Sequence, residues 1–241
     1  MILAAGFGRR LRPLTDRTPK PLIQVAGKPL IAYSLALLRA AGIREVIVNL
    51  HHRADEIRAA LGDGAGYRMS ITYSAEDPIL DTGGAIKKAQ PFLQDGTFVV
   101  LNADIICDLD LRAAVAWHRG RGALATMVLR PDREAARYGI IEIDAHDRIR
   151  RFLGHPSVVD EPLTPLMFAS IHVFEPDVFA YMDEGCFGIN RTTYPRLLAA
   201  GCPLYGYTFP GYWQVLDTHA GLVEGRWDLA TGRCLAPQHR P

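Results

Sequence analysis

At 241 residues and 49% hydrophobic content, the chain can build one domain, or two intimately packed halves, around a large core. A net charge of +1 leaves no electrostatic footprint for nucleic acid or for an anionic membrane surface. Cys107, Cys186, Cys202 and Cys234 form no Cys-x-x-Cys pair, and the eight histidines form no His-Glu-x-x-His pattern, so neither a zinc site nor a disulfide framework is expected.

The chain opens with a short apolar strand, residues 1–5, too brief and too poor in basic residues to read as a signal peptide. No apolar run reaches membrane-spanning length, so the expectation is a cytoplasmic protein, monomeric or homodimeric, without nucleic-acid or membrane partners. The strand breaks at Gly6-Phe7-Gly8. Arg9, Arg10, Arg12, Pro13 and Thr15 follow, then Pro19-Lys20-Pro21-Leu22. Glycines directly after a strand let backbone N–H groups approach a polyphosphate, and Arg and Lys just beyond can neutralise it. Neither common phosphate fingerprint fits, because no Gly-Lys-Ser/Thr follows and Leu11 stands where Gly-x-Gly-x-x-Gly needs its third glycine.

Apolar spacing predicts a helix over 30–41, a strand over 45–50, a helix over 54–61 stopped by Gly62, and a strand over 70–73. Asp81-Thr82-Gly83-Gly84 reads as a loop leading into a helix over 85–89, a place to receive a planar base or a phosphate by backbone contact. A buried strand over 98–101 then ends in Asn102-Ala103-Asp104. Ligands of open α/β sheets bind beyond the carboxyl ends of strands, and an aspartate there suits Mg²⁺. This alternation predicts an α/β fold with a doubly wound, mostly parallel, Rossmann-like sheet.

The second half reads as a smaller mixed β region: strands over 123–129, 138–143, 148–153 and 167–174, and a helix over 190–200. Strands over 204–209 and 212–216 are expected as a hairpin through Pro210-Gly211, followed by a helix over 219–229 and a loose tail. The expected organisation is one domain, residues 1–241. Residues 1–110 are expected as a first half, 111–228 as a second half, and 229–241 as the tail.

The opening string Leu-Ala-Ala-Gly-x-Gly followed by Arg10-Leu11-x-Pro13-Leu14-Thr15 and Pro19-Lys20-Pro21-Leu22 resembles the signature of the sugar-1-phosphate nucleotidylyltransferases. The resemblance implies transfer of a nucleotidyl group from an NTP to a sugar 1-phosphate with Mg²⁺. It implies catalytic roles for Arg10, Lys20 and Asp104. It places the nucleotide on Leu3, Ala4, Ala5, Gly6, Gly8, Arg9, Asp81, Thr82, Gly83 and Asn102. It places the sugar phosphate on Gly139, Glu142, His155 and Ser170, and the metal on Asp104 and Asp217. Leu80 to Gly84 looks similar to uridylyltransferases acting on N-acetylmuramic acid 1-phosphate, which favours UTP. Gly83 to Lys88 also resembles guanylyltransferases for mannose or heptose 1-phosphate.

Three departures from that pattern stand out. Gly154-His155-Pro156 replaces the family's Glu-Lys-Pro; a protonated His155 can donate to a phosphate, or His155 is simply an exposed loop residue. Val215 occupies the family's second metal aspartate position. Asp217, two residues on, either supplies that carboxylate or caps the last helix. Phe168-Ala169-Ser170-Ile171 replaces the commoner Asn-Ala-Gly-Ile. Gly139 either leaves room for a sugar ring or marks a bulge. The missing Glu-Lys and the displaced aspartate keep one rival in view, a nucleotide-sugar sensor without turnover; a second, a phosphocholine-type cytidylyltransferase, shares the opening loop.

Overall fold

The computed structural model describes residues 1–133, 135, 139–156 and 158–234. Two compact units divide the chain: Met1–Ile79, Leu101–Arg112 and Gly211–Pro241 make the first, Leu80–Val100 and Ala113–Pro210 the second. No helix among the described residues is long and apolar enough to cross a membrane.

In the first unit, Ile2–Leu3 lies parallel to two neighbours. Ile2 sits opposite Val48 and Leu101, and Leu3 opposite Asn49 and Asn102. Ser70–Ala75 extends this sheet in parallel, with Glu45 opposite Ser70 and Leu50 opposite Ala75. Parallel neighbours need long crossovers, and the helices Ile31–Ala40 and Ala54–Leu61 supply them. Val46, Ile47, Val48 and Leu50 are buried, as expected for a strand covered on both faces. Gly62, at φ 56°, ends the second helix.

The chain returns to this unit at residue 211. Trp213–Val215 pairs antiparallel with Ile105–Cys107, placing Val215 opposite Ile105. Leu11, Val25, Leu30, Ile106, Leu216 and Leu222 form one apolar cluster. The opening loop and the last helix, His219–Ala230, therefore share a core.

In the second unit, the long strand Thr164–Phe174 pairs antiparallel with Ala125–Arg130 on one side and Ile140–Ile143 on the other. Ile149–Phe152 continues beyond Ile140–Ile143, and Leu204–Thr208 runs parallel to Ala125–Arg130. The long strand shifts register between Phe168 and His172, where Ser170 has φ 61°. His172, Phe174 and Tyr194 stack at its buried end, and Phe152 stacks on Tyr194.

Several expected boundaries move. Asp81-Thr82-Gly83-Gly84 is not a loop but the first turn of the helix Asp81–Lys88. Strands 204–209 and 212–216 do not form a hairpin: Leu204–Thr208 pairs with Ala125–Arg130, and Trp213–Val215 with Ile105–Cys107. Pro210-Gly211 is a crossing point, and the apolar edges at both strands outcompeted a local turn. The helix expected over 190–200 begins later, as Thr193–Ala199. The strand expected over 138–143 is Ile140–Ile143; Tyr138 lies outside the described residues, as do tail residues 235–241.

Candidate functional site

The phosphate-loop candidate lies in the first unit. Among the described residues, the backbone N–H groups of Gly6 to Arg10 donate no hydrogen bond. The loop is held from its other groups instead. The Gly8 carbonyl accepts from Leu11 N (2.9 Å) and from the buried Thr15 hydroxyl (3.0 Å). Gly8 has φ +63°, and a Cβ there would lie 2.8 Å from Thr15 Cγ2 and 3.1 Å from Lys20 Cβ. Both the turn and the close approach therefore require glycine. A Cβ on Gly6 would meet nothing within 4 Å, so its backbone faces open space. Leu11 is fully buried and anchors the turn. The motif thus divides its labour: Leu11 and Thr15 fix the loop, and the amides are left without a partner among the described residues.

Around this loop the cations and carboxylates are already paired. Lys20 Nζ donates to Asp104 Oδ2, with both side chains largely buried. Arg10 Nη2 lies 2.6 Å from Asp217 Oδ2. Leu216 N donates to the Asp104 carbonyl (2.8 Å), extending the pairing of Trp213–Val215 with Ile105–Cys107 to the segments that carry Asp217 and Asp104. Arg10, Lys20, Asp104 and Asp217 thus gather beside Gly8. The capping alternative for Asp217 is overturned. Thr218 is the N-cap, its hydroxyl accepting from Gly221 N at 3.1 Å, because it stands one residue closer to the helix.

Asp104 fits a hard divalent cation. Its Oδ1 is buried and has no hydrogen-bond partner among the described residues. Such an oxygen is expensive to leave unsatisfied and suits an ion. No group of three or more His, Cys, Asp or Glu among the described residues could hold a metal by itself. Mg²⁺ takes one or two carboxylates and completes its shell with water and substrate phosphates, so the open Asp104 oxygen is a fitting donor for it.

The remaining nucleotide candidates of this unit stand at the sheet's carboxyl edge. Ala4 N donates to Asn49 Oδ1 (2.7 Å), and Asn49 Nδ2 donates to the buried Glu76 carboxylate (2.7 Å). Ala103 N donates to the Leu3 carbonyl, and the Asn102 carbonyl accepts from Ser34. Ala5 is buried. Arg9 is exposed and stacks its guanidinium over Phe7, 5.1 Å from the ring centroid.

In the second unit, the first turn of Asp81–Lys88 is engaged by the chain itself. The amides of Gly83 and Gly84 both donate to the Phe187 carbonyl (2.9 and 3.2 Å). Thr82 N donates to Asp81 Oδ1, and the Thr82 hydroxyl accepts from Ile189 N. A Cβ on Gly83 would lie 2.1 Å from the Phe187 ring, and one on Gly84 2.0 Å from the Gly185 carbonyl. These glycines admit the 185–189 segment.

The sugar-phosphate candidates separate. Glu142 receives both of its carboxylate contacts from Arg151, at 3.0 and 2.9 Å, directly across the strand pair. Gly139 has φ +97°, and a Cβ there would strike Leu153 Cδ2 at 2.4 Å, a structural reason for glycine. Ser170 sits at the strand's register shift with positive φ, which explains why glycine is the commoner residue there. His155 is exposed and lines a cleft of about 760 Å³ with Arg150, Leu153, Asn190, Arg191 and Pro195. Phe152 and Leu198 add apolar walls. Arg150 is committed to Asp144 and Glu161. The side chains of His155, Asn190 and Arg191 have no polar partner among the described residues, and Asn190 Oδ1 is buried.

Comparison with known proteins decides the family: the nucleotidyl transferase family pattern matches residues 1–231. The chain belongs to the nucleotidyl transferase family. Among curated relatives, a UTP–glucose-1-phosphate uridylyltransferase of Synechocystis is 36% identical over 240 residues, covering 90% of this chain. A mannose-1-phosphate guanylyltransferase of Mycobacterium tuberculosis is 33% identical over 242 residues, covering all of it. The chain spans 62% and 67% of the lengths of these two relatives. The solved structure of HddC from Yersinia pseudotuberculosis superposes with a TM-score of 0.79 at 20% identity, covering 95% of this chain and 97% of that one. The expected α/β, Rossmann-like fold is thereby confirmed.

Within this member of the family, the sequence alone did not single out Asn49, Glu76, Asn190 and Arg191. Asn49 carried a usable signal, a lone amide in the apolar, buried part of the strand Glu45–Leu50. Asn190 and Arg191 carried none, since they sit before a helix whose start was placed too early.

Proposed function

We propose that this nucleotidyltransferase transfers a nucleotidyl group from an NTP to a sugar 1-phosphate and releases pyrophosphate. The observation that carries this reading is the half-buried Lys20–Asp104 pair set beside a glycine loop with unpaired amides. The Gly6 to Arg10 amides would cradle the triphosphate, and Arg10 would balance charge building on the leaving pyrophosphate. Lys20 would hold the α-phosphate. An oxygen of the sugar phosphate attacks the α-phosphorus as the bond to pyrophosphate breaks. The nucleophile is already anionic, so no protein base is required, and positioning plus charge stabilisation carries the reaction.

Mg²⁺ held by Asp104 would supply electrostatic stabilisation of the phosphates when bound. In the second unit, the cleft of His155, Asn190 and Arg191 would take the sugar phosphate: a free guanidinium for the anion, a buried amide oxygen for a hydroxyl, apolar walls for the ring. Arg191 would thus replace the lysine that the Gly154-His155-Pro156 triplet lacks. UTP is the favoured nucleotide. GTP is the second reading, supported by the relative that is named a guanylyltransferase.

A matrix of NTPs against sugar 1-phosphates, read by pyrophosphate release with Mg²⁺, tests this. One active pair, with UTP, is expected. Binding of NTP without release from any pair would instead support the sensor.

A further inference from the structure

We infer that Asp217 is a positioning residue, which orients the Arg10 guanidinium toward the triphosphate. The inference rests on the loop reading proposed above.

Arg10 by itself is poorly placed to be preorganised. It lies on a short turn, and its side chain is 67% exposed. Free in solvent, it would sample many rotamers and lose that freedom only on meeting phosphate. Asp217 removes that freedom in advance. Its side chain is only 10% exposed, and its oxygen lies 2.6 Å from Arg10 Nη2. A guanidinium has five N–H donors, so one contact to Asp217 leaves a donor face for a ligand.

Asp217 is itself held firmly from both sides. Leu216 before it is fully buried, and its amide is bonded to the Asp104 carbonyl. Thr218 after it caps the last helix. His219 Nε2 reaches the Arg12 carbonyl at 2.9 Å, so the same segment grips the loop on either side of Leu11. Leu11 and Leu216 meet in one apolar cluster. The carboxylate is therefore a fixed point, and Arg10 is the group it fixes.

The experiment compares Asp217→Ala, Asp217→Asn and Asp217→Glu, each with Arg10 intact and with Arg10→Ala. Steady-state pyrophosphate release is measured for the active substrate pair, with Mg²⁺ titrated. Inorganic tripolyphosphate binding is measured by calorimetry without metal, and circular dichroism with thermal melting confirms folding of the near-isosteric Asp217→Asn. Loss of the brace should lower kcat about 10- to 100-fold for Ala and Asn. Asp217→Glu should recover part of it, with the sugar-phosphate KM and the half-activating Mg²⁺ concentration unchanged. Tripolyphosphate affinity should fall in step. Both losses should vanish in the Arg10→Ala background.

Full kcat and tripolyphosphate affinity in Asp217→Ala would overturn the inference. So would the same loss without Arg10, or a raised Mg²⁺ requirement, which would assign the carboxylate to the cation. A wild-type protein with no turnover on any pair sinks the proposed function instead, and the tripolyphosphate titration still decides the role of Asp217.

Discussion

The loop of the first unit and the cleft of the second are built on opposite plans. At the loop, every charged side chain proposed to act is paired inside the protein: Lys20 with Asp104, Arg10 with Asp217. Among the described residues, the loop amides, one Asp104 carboxylate oxygen and the remaining donors of Arg10 are left open. At the cleft, the side chains of His155, Asn190 and Arg191 have no polar partner among the described residues, and apolar walls surround them. A preassembled charge array suits stabilising a transition state, because no reorganisation is needed as charge develops. Unpaired groups in a cleft suit ground-state recognition, where the ligand supplies the missing partners.

The strongest way to break that contrast is at Asp104. Asp104→Ala should remove about 3–4 kcal/mol of transition-state stabilisation, several-hundredfold in pyrophosphate release, with the fold retained. A loss under tenfold would show that the loop array is not where the chemistry is supported. Next comes the cleft. Arg191→Ala should cost about 1.5–3 kcal/mol of sugar-phosphate affinity, seen as a KM raised tenfold or more. The NTP KM should not move; if it does, the division between loop and cleft fails.

Gly83 sharpens the comparison from the structural side. Gly83→Ala forces a Cβ into the Phe187 ring and should destabilise the protein by about 1–3 kcal/mol in chemical denaturation. The added truncation Phe187→Ala should return part of that. No relief would mean that Gly83 is kept for a ligand rather than for packing.

At the buried end of the second unit the expected effect is set by pH and is small only near neutrality. Complete burial pushes the His172 imidazole down to about 3 from its ordinary 6.5. The unfolded chain therefore binds the extra proton between those values, so stability is fully present above about pH 6.5 and falls toward pH 3. The slope from this group reaches about 1.4 kcal/mol per pH unit. His172→Phe should flatten the acid limb of a urea-midpoint series; an unchanged limb would place the acid sensitivity elsewhere.

How much of this was legible beforehand depends on whether the cause was local. The helix Ala54–Leu61 and the strand Glu45–Leu50 match their expected ends because periodicity and Gly62 act within a few residues. The Gly83-Gly84 step misled for the same reason. Two glycines signal backbone freedom, but here they admit Phe187, more than a hundred residues away in the chain. The proposed hairpin failed because strand pairing is set by which buried edge is available, not by the turn residues between two strands.

The sequence by itself determined the α/β alternation, the glycine loop with its cations, and the aspartate at the end of a buried strand. Those features are written in spacing and residue type along a continuous stretch. Only the tertiary structure decided which charges meet: that Lys20 takes Asp104, that Arg10 takes Asp217 while Thr218 caps the helix, and that Arg191 joins His155 at a cleft. Ion pairs and clefts depend on distances between segments far apart in the chain, and periodicity carries no record of such distances.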